Sequence, residues 1–129
     1  MATYSWSTLV NGRVINPFNP NVDVLRFDST SISAADVLVQ GTTTTAFAFG
    51  GKTVTLQMPL FSTTTTNVHF DNGSLLLVGD NATGTVNDNT PRTLTGGIHD
   101  DQLIGGTAAD SLNGGAGDDR MAGGGGNDT

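Results

Sequence analysis

Apolar and polar residues alternate along much of the first 78 residues of the chain. Val54 and Leu56 share one face of such a stretch, and Val68 and Phe70 share a face of another. A period of two is that of a β-strand with one buried face, and no window shows the period of an amphipathic helix. The pattern therefore predicts a β domain over residues 1–85.

Short turns rich in glycine and asparagine separate the predicted strands. Residues 11–12 (Asn-Gly) and 50–51 (Gly-Gly) suit tight reversals. Residues 71–73 (Asp-Asn-Gly) suit a hairpin that leads into the apolar stretch 74–78. Because hairpins join antiparallel neighbours, we expect the N-terminal domain to be an antiparallel β domain.

From residue 96 onward the period changes from two to nine. Residues 96–104 read GGIHDDQLI, 105–113 read GGTAADSLN, 114–122 read GGAGDDRMA, and 123–129 read GGGGNDT. Every unit opens with a glycine pair and has an aspartate at its sixth place, and the complete units have an apolar residue at the eighth. The sixth-place aspartates are Asp101, Asp110, Asp119 and Asp128, and the eighth-place residues are Leu103, Leu112 and Met121.

Each unit has six loop residues followed by a three-residue strand. Glycine reaches the positive φ values that a tight loop needs, and so short a strand turns only its eighth-place side chain inward. If one unit makes half a turn, loops two units apart stack, which pairs Asp101 with Asp119 and Asp110 with Asp128. Carboxylates and loop carbonyls between stacked loops form the all-oxygen environment that Ca²⁺ favours. The repeats therefore predict a short calcium-binding parallel β-roll over residues 96–129.

The candidate calcium ligands are the sixth-place aspartates, loop glycines and two fifth-place aspartates. The pattern is incomplete at the fourth place, where His99 and Ala108 replace glycine. The unit that contains Asp119 has the fullest motif, so we expect Asp119 to matter most and one or two complete sites to form. Beside the sixth-place aspartates, the candidates are Gly97, Gly106, Gly115, Gly117, Gly124, Gly126, Asp100 and Asp118.

A tail rich in glycine and aspartate is also typical of a solvated linker. A linker, however, has no reason to keep leucine and methionine in register over three units. Without calcium, six aspartates between residues 95 and 129 repel one another around a thin core. We therefore expect this segment to be disordered without calcium and to fold into a β-roll when calcium is bound.

The nonapeptide resembles the haemolysin-type calcium-binding (RTX) repeat. Residues 22–78 are also similar to the haemolysin-type calcium-binding-related β modules that flank such repeats in large bacterial secreted proteins, through DVLRFD, SISAADV, FAFGGKTVTL and VHFDNGSL. The resemblance implies export by a type I system. Because the sequence stops within a unit, we expect a roll truncated at its C-terminal end and the N-terminal piece of a longer protein. Residues 86–95 are then a linker or a degenerate first turn, with Leu94 at the eighth place.

The chain is acidic, and its charge is unevenly distributed. The 129 residues have a formal net charge of −7 and include no cysteine and no glutamate. A surface of this sign repels nucleic acid, and no apolar run reaches transmembrane length. The start, MATYSWSTLV, has no basic region followed by an apolar one, so no secretory signal peptide is visible. With the RTX resemblance, we expect an extracellular or cell-surface protein exported without an N-terminal signal peptide.

Few residues of the chain suit catalysis. With no cysteine or glutamate, and with His69 and His99 as the two histidines, the chain offers no zinc site, no Cys/His dyad and no G-x-S-x-G elbow. We expect no enzyme and favour a calcium-binding structural module of an exported RTX-type protein. Two alternatives stay open. One is a self-assembling surface or matrix protein joined through sheet edges or the open end of the roll, and the other is an accessory domain of a secreted enzyme.

Overall fold

The computed structural model describes residues 1–79 and 90–129 of the chain. The regular elements in those ranges are short β-strands and 3₁₀ helices, so the prediction of an all-β fold is confirmed. No helix there has the length and apolarity to cross a membrane. The strands are β1 (Thr3–Ser5), β2 (Arg13–Ile15), β3 (Val24–Phe27), β4 (Leu38–Gly41), β5 (Thr45–Phe49), β6 (Lys52–Leu56), β7 (Val68–Phe70), β8 (Leu76–Val78), β9 (Thr93–Thr95), β10 (Gln102–Gly106), β11 (Ser111–Asn113) and β12 (Arg120–Gly124).

Most strand pairs of the N-terminal module, residues 1–79, are parallel. β3 lies between β1 and β7 in one sheet, and β2 pairs in parallel with β6 in a second sheet. The expected antiparallel arrangement holds for β4, β5 and β6 and is wrong for the other strands. Alternation of apolar residues does not encode the direction of the partner strand. After β1 the chain leaves the first sheet, forms β2 in the second sheet, and returns to the first sheet as β3. β3 therefore runs parallel to β1, and the chain of the module follows a coil.

An aromatic stack forms the centre of the N-terminal module. The ring of Phe27 lies between those of Trp6 and Phe70, with centroid distances of 4.6 and 4.4 Å. All three side chains are buried. Neighbouring parallel strands place equivalent residues above one another, so a ladder of large side chains accumulates on the inner face. This stack gives the module a core of its own.

The turn at residues 71–73 carries the chain from one sheet to another, so the predicted hairpin is wrong. β7 pairs with β3, whereas β8 pairs with β10. Gly73 has a φ of 89°, which confirms a turn at this position. The Arg26 guanidinium donates to both carboxylate oxygens of Asp71 at 2.7 Å, which keeps the pKa of Asp71 below its ordinary value. A turn motif thus locates the bend correctly without identifying the partner of the next strand.

The repeats form the two parallel sheets of a roll. β8, β10 and β12 make one sheet, in which Leu103 lies beside Leu77 and Met121. β9 and β11 make the other, in which Leu94 lies beside Leu112. Partners within the repeats are 18 residues apart, so two units make one turn, as predicted. Leu103 is fully buried between two strands, whereas Met121 in the last layer is 54% exposed.

The roll begins before the first complete repeat. β9 precedes residue 96 and pairs with β11, which places Leu94 beside Leu112. The prediction that residues 86–95 are a linker or a degenerate first turn stays a prediction. β8 belongs to the domain predicted for residues 1–85, yet it pairs with β10 of the repeats. The end of that predicted domain and the start of the linker predicted for residues 86–95 lie outside the described residues. The N-terminal module and the repeats therefore share a sheet.

Candidate metal-binding loops

The repeat loops stack in two columns on opposite sides of the roll. The first column contains loops 96–101 and 114–119, and the second contains loops 105–110 and 123–128. In the first, the Ala116 N–H donates to the Gly97 carbonyl at 3.0 Å, and in the second the Gly125 N–H donates to the Gly106 carbonyl at 2.8 Å. The predicted stacking of loops two units apart is confirmed.

Each sixth-place aspartate forms the same hydrogen bond to the preceding turn of the roll. Its Oδ1 accepts the backbone N–H of the residue immediately before the neighbouring strand. In the last two units that residue is itself the sixth-place aspartate of the preceding turn. A hydrogen bond to a charged carboxylate is stronger than one between neutral groups, so these contacts hold the loops in register. The bonds run from Leu75 to Asp101 (2.7 Å), from Arg92 to Asp110 (2.8 Å), from Asp101 to Asp119 (2.9 Å) and from Asp110 to Asp128 (2.9 Å).

Asp101 and Asp110 are the two buried sixth-place aspartates, and their Oδ2 atoms differ in hydrogen bonding. Oδ2 of Asp101 accepts the backbone N–H of Gly97. Oδ2 of Asp110 is buried with no hydrogen-bond partner in the described part of the chain, and Asp110 is only 3% exposed. A buried, unpaired carboxylate oxygen is costly unless a cation satisfies it. The second column therefore fits a bound cation.

The glycine that opens each unit makes room for the aspartate of the same unit. A Cβ added to Gly114 would lie 2.1 Å from Oδ2 of Asp119, and one added to Gly123 would lie 2.3 Å from Oδ2 of Asp128. Real Cβ atoms do not approach other atoms so closely. The glycine column read from the sequence thus allows the carboxylates to fold back onto the loop.

The stacking of the loops explains why only some units have glycine at the fourth place. A Cβ on Gly117 would lie 2.6 Å from the carbonyl oxygen of His99, and a Cβ on Gly126 would lie 2.3 Å from that of Ala108. Glycine is therefore required in the later layer, which covers the carbonyl of the earlier one. His99 and Ala108 belong to the earlier layers, where this restriction on the covering residue does not apply. Both substitutions are compatible with the loop columns.

The remaining candidates occupy the same loops. Oδ1 of Asp100 accepts the Asp118 N–H at 2.9 Å, so the two fifth-place aspartates face each other in the first column. No group of three or more His, Asp or Glu side chains converges within residues 1–79 and 90–129. A cation here would depend on backbone carbonyls as well as carboxylates, which suits calcium better than a metal that prefers side-chain nitrogen or sulfur. The ligand roles of the predicted residues stay predictions.

Gln102 is an important residue of the first repeat that the sequence did not indicate. It is buried, and its side-chain amide nitrogen donates to the carbonyls of Ala34 (2.9 Å) and Val37 (3.0 Å) when the amide is oriented to satisfy both. Its repeat position is occupied by the exposed residues Ser111 and Arg120 in the next two units. Because this position holds a different residue type in each unit, the nine-residue pattern does not predict the contact.

Replacing His69 or His99 with glutamine is expected to change stability by less than about 0.5 kcal/mol and to leave calcium binding intact. His69 is exposed, with Nε2 3.7 Å from the Asp71 carboxylate. The ring of His99 lies against Gly73, where an added Cβ would be 3.0 Å from Nε2. Calcium titration followed by circular dichroism measures both effects. Loss of calcium binding in His99→Gln would instead show that the imidazole is a ligand.

Comparison with known families agrees with the geometry of the loops. Residues 95–129 match the family described as RTX calcium-binding nonapeptide repeat (4 copies). Searches of curated proteins and of solved structures returned no match to this chain. The likeness of residues 22–78 to a haemolysin-type calcium-binding-related module lies outside the matched range and stays a prediction. The loops stacked at the C-terminal end are RTX-type repeats, and their ion is Ca²⁺.

Proposed function

We propose that the chain is an extracellular structural module whose repeats become ordered when they bind calcium. The observation that carries the proposal is the buried Oδ2 of Asp110, which has no partner in the described part of the chain. The proposed ligands are the sixth-place carboxylates together with carbonyl oxygens of the loop glycines and, in the first column, Asp100 and Asp118. Bound calcium would neutralise these carboxylates and bridge consecutive loops.

The repeats have little else to stabilise them. Leu103 is fully buried, but Met121 is largely exposed. Burial of one such side chain contributes about 1.5–3 kcal/mol, while ordering each residue costs about 1–2 kcal/mol of backbone entropy. Six aspartates between residues 95 and 129 add repulsion. Calcium therefore supplies a large part of the stability that apolar packing supplies in other folds.

The calcium affinity that we propose makes folding of the repeats depend on whether the protein is inside or outside the cell. Extracellular calcium modules have dissociation constants on the order of 10⁻⁴–10⁻³ M. Sites of that affinity are empty at cytosolic calcium concentrations and are filled outside the cell. RTX repeats are typical of exported proteins, which supports this part of the proposal. We include export as part of a longer RTX-type protein in the proposal and assign no reaction to these residues.

Circular dichroism and amide hydrogen exchange with calcium and with chelator test the proposal on the wild type and on Asp119→Ala. We expect calcium to protect the amides of residues 96–129 in the wild type and to protect them less in the variant. The variant loses the carboxylate that accepts the Asp101 N–H. Magnesium at equal concentration is the control, because it dehydrates reluctantly and demands octahedral geometry. The same ordering of this segment in all four calcium and chelator samples would contradict the proposal.

A further inference from the structure

We propose that the N-terminal module is a calcium-independent first layer of the same roll, on which the repeats become ordered from β10 toward β12. This inference rests on the proposed function, since it assigns an order to the calcium-dependent folding of the repeats. It is carried by two sets of contacts. The first reproduces a repeat loop inside the module, and the second attaches the first repeat to the module.

Asp23 makes the hydrogen bond that identifies a sixth-place aspartate. Its Oδ1 accepts the backbone N–H of Ala2 at 2.7 Å, just as Oδ1 of Asp101 accepts that of Leu75 at 2.7 Å. Each donor precedes a strand, and each aspartate precedes the parallel partner of that strand: β1 with β3, and β8 with β10. Asp23 therefore occupies the same place relative to its sheet as Asp101.

The other contacts of the two aspartates also correspond. Oδ2 of each accepts the backbone N–H of the residue four positions earlier, Asn19 for Asp23 and Gly97 for Asp101. Two places after each aspartate comes a fully buried leucine, Leu25 and Leu103. Residues 18–26 thus form a nine-residue unit with the strand and loop of a repeat, although glycine is absent from them.

Residues 18–26 differ from the best repeats in their loop, and the carboxylate of Asp23 is satisfied by the chain itself. Asn19 and Asn21 stand at the second and fourth places of this unit, where the repeats that match best have glycine. Both oxygens of Asp23 are satisfied by backbone N–H groups, and these bonds keep the pKa of Asp23 below its ordinary value. Asp101 of the first repeat has the same two bonds, whereas Asp110 of the second has a buried Oδ2 with no hydrogen-bond partner in the described part of the chain. Hydrogen bonds therefore satisfy the aspartates of the module and of the first repeat, and calcium is proposed to be needed from the second unit onward.

The module also holds the first repeat in place without calcium. The Ala35 N–H donates to the Asp100 carbonyl at 3.2 Å, and the Gln102 N–H donates to the Leu75 carbonyl at 2.9 Å. The Gln102 side chain reaches the carbonyls of the 3₁₀ helix Ala34–Asp36 and its C-terminal neighbour. Asp101 is fully buried with both oxygens hydrogen-bonded. In the absence of calcium, β10 has a preformed edge to pair with, while β11 and β12 depend on the later loops.

Residue-resolved amide hydrogen exchange on the full chain in chelator tests this order of folding. We expect the amide of residue 102, which donates to the Leu75 carbonyl, to exchange at least about tenfold more slowly than the Ser111 and Arg120 amides, which occupy the same repeat position. Gln102→Leu should remove this protection and raise the calcium concentration needed to order residues 111–129 severalfold. Ser111→Ala, at the same place in the next unit, is the matched control and should change neither value.

A second pair of variants keeps the test independent of any packing defect at residue 102. Asp23→Ala should destabilise the module equally in calcium and in chelator, whereas Asp119→Ala should destabilise the repeats only in calcium. Equal exchange at the amides of residues 102, 111 and 120 in chelator, with ordering of all three by calcium, would overturn this inference and leave the proposed function standing. No effect of calcium on any of these amides would overturn both.

Discussion

Replacing Asp110 with asparagine is expected to abolish the calcium response of the second loop column and to make that column easier to order in chelator. The asparagine Oδ1 can still accept the Arg92 N–H, which Asp110 accepts at 2.8 Å. Its amide group replaces the buried, unpaired carboxylate oxygen and removes the charge that a cation would neutralise. The substitution therefore separates the hydrogen-bonding role of this residue from its proposed role as a ligand.

The two effects of Asp110→Asn have opposite signs. In chelator, removing a charged oxygen that ordering would leave buried and unsatisfied should shift the column toward its ordered state by roughly 1–3 kcal/mol. In calcium at about a hundred times the dissociation constant, losing one site should cost about 2.7 kcal/mol of ligand-linked stability. Amide hydrogen exchange of the repeats in chelator measures the first value, and thermal unfolding with and without calcium measures the second. Asp36→Asn is the control, because it makes the same change of formal charge outside the loops at an exposed residue, and an asparagine oxygen can still accept the Ser33 N–H.

A variant that responds to calcium like the wild type would contradict the assignment of Asp110 as a ligand. Faster exchange of the repeat amides in chelator than in the wild type would show that Oδ2 has a favourable role in the metal-free protein. Both outcomes are distinguishable from a general effect of charge, which Asp36→Asn would share.

The repeats were predictable because one short pattern determines each of their layers. The aspartate and leucine columns predicted which loops stack, and the pairing of Asp101 with Asp119 is present in the structure. From the sequence we expect Asp119 to matter most among the candidate calcium ligands, because its unit has the fullest motif. Burial adds a reason to rank Asp110 first, since it is 3% exposed and its Oδ2 has no hydrogen-bond partner among residues 1–79 and 90–129. Burial depends on the number of layers around a residue, which a single unit does not encode.

The N-terminal module was less predictable because its coil is encoded without a regular period. Strands such as β3 and β7 were found from alternating residues, but their parallel pairing depends on where the intervening chain crosses. Asp23 and Leu25 keep the spacing of a repeat, although Phe18 and Asn19 replace the glycine pair that makes the repeats recognisable. The Gln102 contact was invisible for a further reason, since its partners lie about 65 residues earlier in the chain.

Replacing Gly114 with alanine is expected to destabilise the repeats and weaken calcium binding, whereas Gly125→Ala should do neither. A Cβ on Gly114 would lie 2.1 Å from Oδ2 and 2.6 Å from Cγ of Asp119, so the carboxylate must move. That movement breaks its bond to the Asp101 N–H and displaces a proposed ligand. We expect a loss of roughly 1–3 kcal/mol from overpacking and a similar loss from the hydrogen bond.

Gly125 provides the matched control for Gly114→Ala. A Cβ there would meet only the Cα and carbonyl oxygen of Thr107 at 3.7 Å, an ordinary van der Waals distance. Both substitutions reduce the entropy of the unfolded chain equally, which on its own stabilises by about 0.4–1 kcal/mol. Their difference in melting temperature and in calcium midpoint therefore isolates the clash with Asp119. Equal behaviour of the two variants would mean that the opening glycine is retained for backbone freedom alone, and that the carboxylate does not need the space beside it.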